Sequence, residues 1–237
     1  MKSVVLENTV GIPAEEILGR KHNLWVGVSD STWFNTPDNF ELAIRWGLDH
    51  TRDKLLLWMP GRLYAMNIRH IERRSRARSL RDGFTKEHEF RSRAEQMLTQ
   101  CSAEERGRVC FVDYDRILTP LYVERRSVLY REYSLENDFY RRVDEIVEGF
   151  LAIRGRTASK ERKEAVAIFV IQELPMFVEP VRLIDSEDAF AVEIYPGTGK
   201  VDQLALDLVE GKLFPEITEK LRLKDPCGVA SIKLAED

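Results

Sequence analysis

One segment of the chain ends an apolar run on a serine, at a position where a nucleophile could be exposed. Residues 24–34 read LWVGVSDSTWF, and a continuous apolar run of this kind is typical of a strand buried on both faces of a parallel sheet. Open α/β sheets bind ligands at the carboxyl ends of such strands. We therefore predict that Ser29 is a candidate nucleophile and that Gly27 permits close approach of a substrate backbone. The alternative is a serine that only caps the following turn.

A second candidate is a basic segment in a chain that is acidic elsewhere. The whole chain carries a net charge of −4, but six arginines and one glutamate lie between Arg69 and Arg81. Because Glu72 is the only acid in this segment, a polyanionic partner is favoured over a merely solvated helix face. Helical spacing predicts two stripes of arginines on one helix. The first stripe is Arg69, Arg73 and Arg76, and the second is Arg74, Arg78 and Arg81. The next predicted helix extends this positive region with Lys86, Arg91 and Arg93.

Composition narrows the class of protein. The 237 residues are enough for a full hydrophobic core, and we expect one domain over residues 1–237. The three cysteines form no CxxC pair, which favours a reducing cytoplasm. The first residues lack the apolar stretch of a signal peptide, and no window is long enough to span a bilayer. We therefore expect a soluble, cytoplasmic protein with no membrane partner.

Several common active-site motifs are missing from the sequence. The segment Gly197-Thr-Gly-Lys200 lacks the spacing of a phosphate-binding loop, and no GxGxxG follows the first predicted strand. The four histidines are scattered without metal-ligand spacing, so no metal site is expected. A hydrolase nucleophile elbow also needs a second glycine where Ser31 stands.

The elements that must position these residues alternate between strands and helices. This order predicts an α/β fold with a Rossmann-like parallel sheet of about five strands and helices on both faces. The strands are expected near residues 24–28, 54–60, 108–113, 189–195 and 228–234. Helices are expected near residues 36–51, 63–82 (ended by Gly83), 85–100, 120–133, 136–153, 159–174, 201–210 and 215–221.

Five short motifs follow one another between residues 15 and 196. They are Glu15-Glu-Ile-Leu18, the strand ending in Gly27-Val-Ser29, Thr119-Pro-Leu-Tyr122, Phe169-Val-Ile-Gln-Glu173-Leu-Pro175 and Tyr195-Pro196. Together these residues resemble the motifs of the cyclodipeptide synthases, and the likeness covers most of the chain. The basic segment falls where that family contacts transfer RNA.

The resemblance implies a monomeric enzyme that is similar in fold to the catalytic domain of class I aminoacyl-tRNA synthetases. It would take two aminoacyl-tRNAs, need no cofactor and release a cyclic dipeptide. By the same resemblance, Ser29 would carry the first amino acid as an acyl-enzyme and Glu173 would bind its ammonium group. Tyr195 would assist proton transfer during ring closure, and Tyr122 would lie near the active site. The backbone N–H groups around Gly27 would receive the developing oxyanion.

The resemblance also marks specificity residues and one departure. Tyr195-Pro196, with Thr32 in place of the asparagine of other members, points to the subfamily named for its Tyr-Pro pair. Phe169 stands where the family usually has a tyrosine, so Tyr122 or another hydroxyl would take over its role, or activity would be reduced. The predicted substrate-binding residues are Trp25, Gly27, Thr32, Asp113, Phe169, Met176 and Glu193, and the predicted tRNA-binding residues are Arg69, Arg73, Arg74, Arg76, Arg78, Arg81 and Lys86.

Two other functions compete with this interpretation. A non-catalytic tRNA-binding module would keep the basic segment and lose the chemistry, as the phenylalanine at position 169 would allow. A serine hydrolase or acyltransferase unrelated to RNA would use Ser29 but would leave the basic segment without a role.

Overall fold

A mostly parallel sheet lies at the centre of the protein. The computed structural model describes residues 2–29, 31–59, 61–157 and 159–235, and all structural statements refer to these residues. The strand order is β1-β7-β6-β2-β3-β4, with β5 paired to β6. The pairs β7-β6, β6-β2, β2-β3 and β3-β4 are parallel, whereas β1 and β5 are antiparallel to their neighbours. The strands are β1 (Val4–Val10), β2 (Asn23–Gly27), β3 (Leu55–Met59), β4 (Val109–Asp113), β5 (Val181–Arg182), β6 (Ala189–Tyr195) and β7 (Gly228–Leu234).

Helices cover both faces of this sheet. Side chains of α3 and α5 pack with β2, β3, β6 and β7 on one face, while α4, α7 and α9 pack on the other. A further apolar cluster lies beside the second face and is formed mainly by helices α7, α8, α9, α10 and α11. The helices are α1 (Ala14–Leu18), α2 (Thr32–Asn35), α3 (Pro37–His50), α4 (Gly61–Ile71), α5 (Arg76–Leu98), α6 (Ala103–Gly107), α7 (Pro120–Tyr133), α8 (Asp138–Ile153), α9 (Lys160–Val178), α10 (Lys200–Glu210) and α11 (Pro215–Leu221).

The predicted α/β class and parallel sheet are confirmed. The five predicted strands are the five that pair in parallel, and the sequence shows them as apolar runs, although the edge strand β4 is mostly half-buried. The sequence analysis missed β1 and β5. The first is a half-exposed edge strand whose register shifts between Leu6 and Asn8, so its polar residues hide the strand pattern. The second has only two residues.

The predicted end of a helix at Gly83 is wrong. The chain breaks earlier, after Ile71, where Arg73 adopts a left-handed backbone (φ 55°) and Ser75 caps the next helix. Gly83 lies inside α5, at its crossing with α4. A Cβ atom there would lie 2.4 Å from the carbonyl oxygen of Gly61 and 2.9 Å from the nitrogen of Ala65. Gly83 is therefore a packing residue.

Helix α9 also differs from its prediction. The sequence pattern placed its end at Leu174, because proline removes a hydrogen-bond donor from a helix. The helix instead continues through Pro175 to Val178. The extra turn carries Met176 and Phe177 onto the sheet, where both pack against the cluster that contains Trp25.

No helix among the described residues is long and apolar enough to cross a membrane.

A substitution at Gly83 tests the helix crossing. We expect Gly83→Ala to lower the free energy of unfolding by about 2 kcal/mol or more, because the new methyl group would meet backbone atoms that cannot move aside. Gly149→Ala in α8 is the matched control. Its Cβ would meet only the flexible end of Lys200, so we expect a gain of about 0.5–1 kcal/mol from the helix preference of alanine. Denaturant unfolding measures both, and equal effects would contradict the assignment of Gly83 as a packing residue.

Candidate active site

Ser29 and Tyr195 form a hydrogen-bonded pair at the carboxyl ends of two adjacent parallel strands. Ser29 follows β2, and Tyr195 is the last residue of β6. Their hydroxyl oxygens are 2.8 Å apart, although the residues lie 166 positions apart in sequence. Neither side chain is fully buried, so a substrate can reach the pair. The following turn is capped instead by Ser31, whose Oγ accepts the backbone N–H of Phe34. Ser29 is thus available for chemistry.

The space beside Gly27 holds a carboxyl group. Glu193 on β6 lies next to Trp25 in the parallel register, and its side chain points to the same face. Its Oε1 lies 2.3 Å from the point that a Cβ atom of Gly27 would occupy. The predicted role of Gly27 was to admit a substrate backbone. The structure shows a second reason for a glycine at position 27, because the side chain of any other residue would displace the Glu193 carboxyl group.

Helix α9 lies over this part of the sheet and brings Glu173 toward it. Phe169, Glu173 and Phe177 are spaced by four residues and share one side of the helix. Phe177 packs on Trp25 at a ring-centroid distance of 5.7 Å. Met176 is buried in the same cluster. Glu173 keeps some contact with solvent, yet protein surrounds its carboxyl group closely enough for desolvation to raise its pKa to about 8.

Asp202 on α10 adds a third carboxyl group that the sequence analysis missed. Its Oδ2 accepts the backbone N–H of Gly199 at 2.5 Å, in the first turn of the helix. Burial raises its pKa to about 6. The negative charge of Asp202 raises in turn the pKa of Glu173, Glu193 and Tyr195. An acid three residues after Gly199 is an ordinary helix-start signal, so the sequence offered no hint of this second role.

Glu173, Glu193 and Asp202, here termed the carboxyl trio, form the electrostatic centre of the site. Burial raises the pKa of Glu193 well above its ordinary value, and the two neighbouring carboxyls raise it further. Within the described parts of the chain, no lysine or arginine forms an ion pair with any of the three. Burial also raises the pKa of Tyr195 to about 12, against the lowering effect of its hydrogen bond with Ser29. The site therefore lacks positive charge and suits a cationic ligand.

Tyr122 supports the site from α7. Its hydroxyl donates a hydrogen bond to the backbone carbonyl of Gln172, the residue before Glu173. The hydroxyl of Tyr114 donates to the side-chain oxygen of the same glutamine at 3.1 Å. Burial raises the pKa of Tyr122 well above 10, so its phenol stays protonated. Tyr122 thus holds the α9 backbone, and its hydroxyl is already occupied.

Two predicted substrate-binding residues lie at the periphery. Thr32 is exposed at the start of α2, and its carbonyl accepts hydrogen bonds from Thr36. Asp113 ends the edge strand β4, with β3 between it and β2. One of its carboxylate oxygens accepts the backbone N–H groups of Asp115 and Arg116 at 3.0 and 3.2 Å. The structure therefore does not bring Asp113 to Ser29, because its carboxylate organises the turn after β4.

Another contact at the site involves Tyr64, which the sequence analysis also missed. Its hydroxyl donates to the carbonyl of Val28 at 2.7 Å and so ties α4 to the segment just before Ser29. Among the described residues, no group of histidines, cysteines and carboxylates has the arrangement of a metal site.

Two surface pockets lie next to the site without containing the Ser29–Tyr195 pair. One is lined by residues that include Tyr122 and Met176. The other is lined by residues that include Asp202 and Phe177. Neither pocket is lined by Ser29 or Tyr195.

Comparison with known families identifies the chain. The family model described as cyclodipeptide synthase matches residues 8–201. The chain belongs to the cyclodipeptide synthase family. The match includes Ser29, Glu173 and Tyr195 and extends over most of the sequence, so this protein is an aminoacyltransferase that makes cyclic dipeptides from aminoacyl-tRNAs. No curated protein sequence matches the chain.

Solved structures share the fold of this cyclodipeptide synthase at low sequence identity. A cyclodipeptide synthase from Fluoribacter dumoffii superposes with a TM-score of 0.72 at 11% identity, covering 100% of both chains. A cyclo(L-leucyl-L-phenylalanyl) synthase gives 0.68 at 14% identity, covering 100% of this chain and 99% of that one. A Mycobacterium tuberculosis protein gives 0.71 at 15% identity, covering 96% and 93%, and is described as relating cyclodipeptide synthetases to type I tRNA synthetases. The predicted Rossmann-like fold is thus confirmed.

The arginines of this cyclodipeptide synthase do not form the two predicted stripes. Arg69 is on α4, Arg73 is in the connection, and Arg76 begins α5, so the three do not share one helix face. The expectation that Glu72 is the only nearby acid also fails. Asp82 lies one residue beyond the predicted segment and contacts three of the arginines: Arg74 at 2.5 Å, Arg81 at 3.7 Å and Arg78 at 4.0 Å.

A basic surface nevertheless remains at this place. Arg69, Arg73 and Arg76 are exposed, and none forms an ion pair with a described acid. Lys86 donates to the side chain of Asn35. Arg91 and Arg93 stack on aromatic rings, and two nitrogens of Arg93 are buried, which removes Arg93 from the surface. We define the basic surface as Arg69, Arg73, Arg74, Arg76, Arg78, Arg81 and Lys86.

The carboxyl trio predicts how stability depends on pH. The pKa values of Glu173 (about 8) and Asp202 (about 6) are above the ordinary 4.5 and 3.8, so the folded protein keeps protons that the unfolded chain has lost. The contribution of Glu173 to the free energy of unfolding is therefore fully present below pH 4.5. It decreases as the pH rises and is lost once the pH passes about 8. We expect Glu173→Gln to reduce this fall in melting temperature by a few degrees.

The control for this pH experiment is Glu164→Gln, at an exposed position of the same helix. It should leave the pH profile of the melting temperature unchanged. If the Glu173→Gln profile matches that of the unmodified protein, the carboxyl of Glu173 does not titrate in a buried environment.

Proposed function

We propose that this cyclodipeptide synthase works through a covalent aminoacyl intermediate on Ser29, in a ping-pong sequence. The observation that carries the proposal is the 2.8 Å contact between the hydroxyls of Ser29 and Tyr195 at the carboxyl ends of β2 and β6. No histidine is hydrogen-bonded to Ser29 in the described chain. An aminoacyl ester already has a good leaving group, so a serine can act on it without the histidine base of a hydrolase.

In the first half-reaction, Ser29 Oγ forms a bond to the carbonyl carbon of the first aminoacyl ester. The bond from that carbon to the ribose oxygen of the tRNA breaks, and the freed tRNA hydroxyl takes the proton lost by the serine. We propose that the backbone N–H groups near Gly27 stabilise the negative oxygen that forms in between. The product is an aminoacyl-enzyme and an uncharged tRNA.

In the second half-reaction, the amine of a second aminoacyl-tRNA attacks the carbonyl carbon of the Ser29 ester. A peptide bond forms, the serine oxygen leaves with a proton of that amine, and the dipeptide is held as an ester of the second tRNA. We propose that Ser29 Oγ then attacks this ester: the bond to the ribose oxygen breaks, the tRNA hydroxyl takes the serine proton, and a dipeptidyl-enzyme and a second uncharged tRNA result. The free amine finally attacks the remaining ester carbonyl, and Tyr195 passes the proton of that amine to the departing Ser29 oxygen. The hydrogen bond between Tyr195 and Ser29 supports this role.

Glu173 is proposed to bind the α-ammonium of the first amino acid. Burial and, to a smaller extent, the charge of Asp202 raise its pKa, and an ammonium group nearby would favour the carboxylate. The usual tyrosine one turn earlier is Phe169 here, and the hydroxyl of Tyr122 is occupied by the carbonyl of Gln172. We therefore propose that the Glu173 carboxylate holds the ammonium without a phenol at position 169.

Further features of the chain support two smaller proposals. Tyr195-Pro196 together with Thr32 supports membership of the Tyr-Pro subfamily. The three described cysteines are all free, which supports action in the cytoplasm, where charged tRNA is found. A monomeric enzyme is proposed from the family resemblance alone.

The nucleophile is tested by Ser29→Ala. We expect product formation to fall by on the order of 10³-fold or more, with tRNA binding nearly unchanged, because only the attacking oxygen is removed. Ser31→Ala is the matched control: it removes the α2 cap and should cost about 1 kcal/mol of stability while product still forms. Mass spectrometry of the cyclic dipeptide and a tRNA-binding assay measure the two effects. Turnover near normal in Ser29→Ala would contradict the acyl-enzyme.

The RNA contact is tested by replacing Arg69, Arg73 and Arg76 together with glutamine. These exposed arginines lack a described acidic partner, so each is available to a phosphate. We expect weaker tRNA binding and a smaller salt dependence, with the slope of log K against log salt reduced by about two to three.

The control for the RNA experiment changes the same number of charges elsewhere, at Arg52, Arg131 and Arg141. Binding of tRNA across a range of salt concentrations should resemble that of the unmodified protein in this control. An unchanged slope in the first variant would place the RNA on another surface.

A further inference from the structure

The carboxyl group of Glu193 occupies a distinctive position with respect to the nucleophile. It lies against Gly27, two residues before Ser29, on the face of the sheet that also carries Trp25. An amino acid attached to Ser29 through its carbonyl carbon can extend its side chain toward Gly27, Trp25 and Glu193. Glu193 is therefore part of the surface that the side chain of the first amino acid would contact.

Glu193 is nearly buried and has no partner. Its exposed fraction is 3%, and no hydrogen bond or ion pair joins it to another described residue. A buried carboxyl without a partner is costly, which indicates that a ligand completes it.

Glu193 differs from the other two carboxyls of the trio in the partner that is available to it. Asp202 already accepts a hydrogen bond from Gly199 at the start of α10. Glu173, on the opposite helix, is the proposed partner of the α-ammonium. Glu193 instead belongs to the sheet, where its Oε1 lies against Gly27, and it is therefore placed for a second positive group. The aromatic surroundings also suit a cation, since Trp25 packs edge-on against Trp58 at 6.2 Å and against Phe177.

We propose that Glu193 is a specificity-determining residue and that the first amino acid used by this enzyme carries a cationic side chain: an ammonium, a guanidinium or an imidazolium. This inference rests on the proposed function, because it assumes that the amino acid is attached to Ser29. Burial raises the pKa of Glu193 well above its ordinary value, and the neighbouring carboxyls raise it further. A positive group within about 4–6 Å has the opposite effect and favours the carboxylate, which can then form an ion pair with such a side chain.

The test uses the full-length enzyme with total tRNA that has been charged with all the common amino acids. Cyclic dipeptides are identified and quantified by mass spectrometry for the unmodified protein, Glu193→Gln and Glu187→Gln. The first variant keeps the shape of the side chain and removes its charge. Glu187 is exposed just before the same strand, so its variant is the matched control. Thermal unfolding checks that both variants are folded.

The expected product of the unmodified enzyme contains lysine, arginine or histidine. In Glu193→Gln its amount should fall by about 10- to 100-fold, as for the loss of one charged hydrogen bond. Products with uncharged side chains should not fall, and Glu187→Gln should behave as the unmodified protein does.

Three outcomes would overturn the inference. If the unmodified enzyme makes only cyclic dipeptides with uncharged side chains, Glu193 does not select a cation, and the proposed function stands. If cationic products form equally well in Glu193→Gln, the residue is a neutral structural acid. If a Ser29→Ala enzyme makes the same products as the unmodified one, the acyl-enzyme mechanism fails, and with it the placement of the side chain.

Discussion

The parallel pairing of β2 with β6 is the contact on which the site depends. It joins segments that are more than 160 residues apart and puts the hydroxyls of Ser29 and Tyr195 within hydrogen-bond distance. The same register sets Glu193 beside Trp25 and leaves its carboxyl group in the space next to Gly27. A shift by one residue would turn Glu193 to the opposite face of the sheet. The positions of Ser29, Tyr195 and Glu193 therefore have one structural cause.

Burial of negative charge is the second feature of the site. Glu173, Glu193 and Asp202 come from a covering helix, a strand and the start of another helix, and each has a raised pKa chiefly because of desolvation. No lysine or arginine in the described part of the chain offsets them. Such a cluster costs stability, which is a common property of sites that bind charged substrates. In the proposed mechanism, the ammonium group of an aminoacyl ester offsets part of this negative charge.

The basic surface and the carboxyl trio carry opposite charges and are proposed to bind different parts of the substrate. Exposed arginines around the α4–α5 connection suit the phosphates of an RNA, while the buried acids suit the amino acid at its end. Helix α4 links the two regions, because Tyr64 binds the carbonyl before Ser29 and Arg69 lies farther along the same helix. The chain can thus hold the two ends of one charged substrate by different electrostatics.

Much of this protein was determined by local sequence. The five parallel strands were visible because burial makes each of them an apolar run, and the motifs around Ser29, Glu173 and Tyr195 were sufficient for the family. Tertiary structure alone decided the end of α4, since Gly83 is required by a helix crossing and the chain breaks where Arg73 turns. It likewise decided the pairing of the arginines with Asp82 and the role of Asp202. These features depend on distances between distant segments, and such distances arise only when the strands and helices pack.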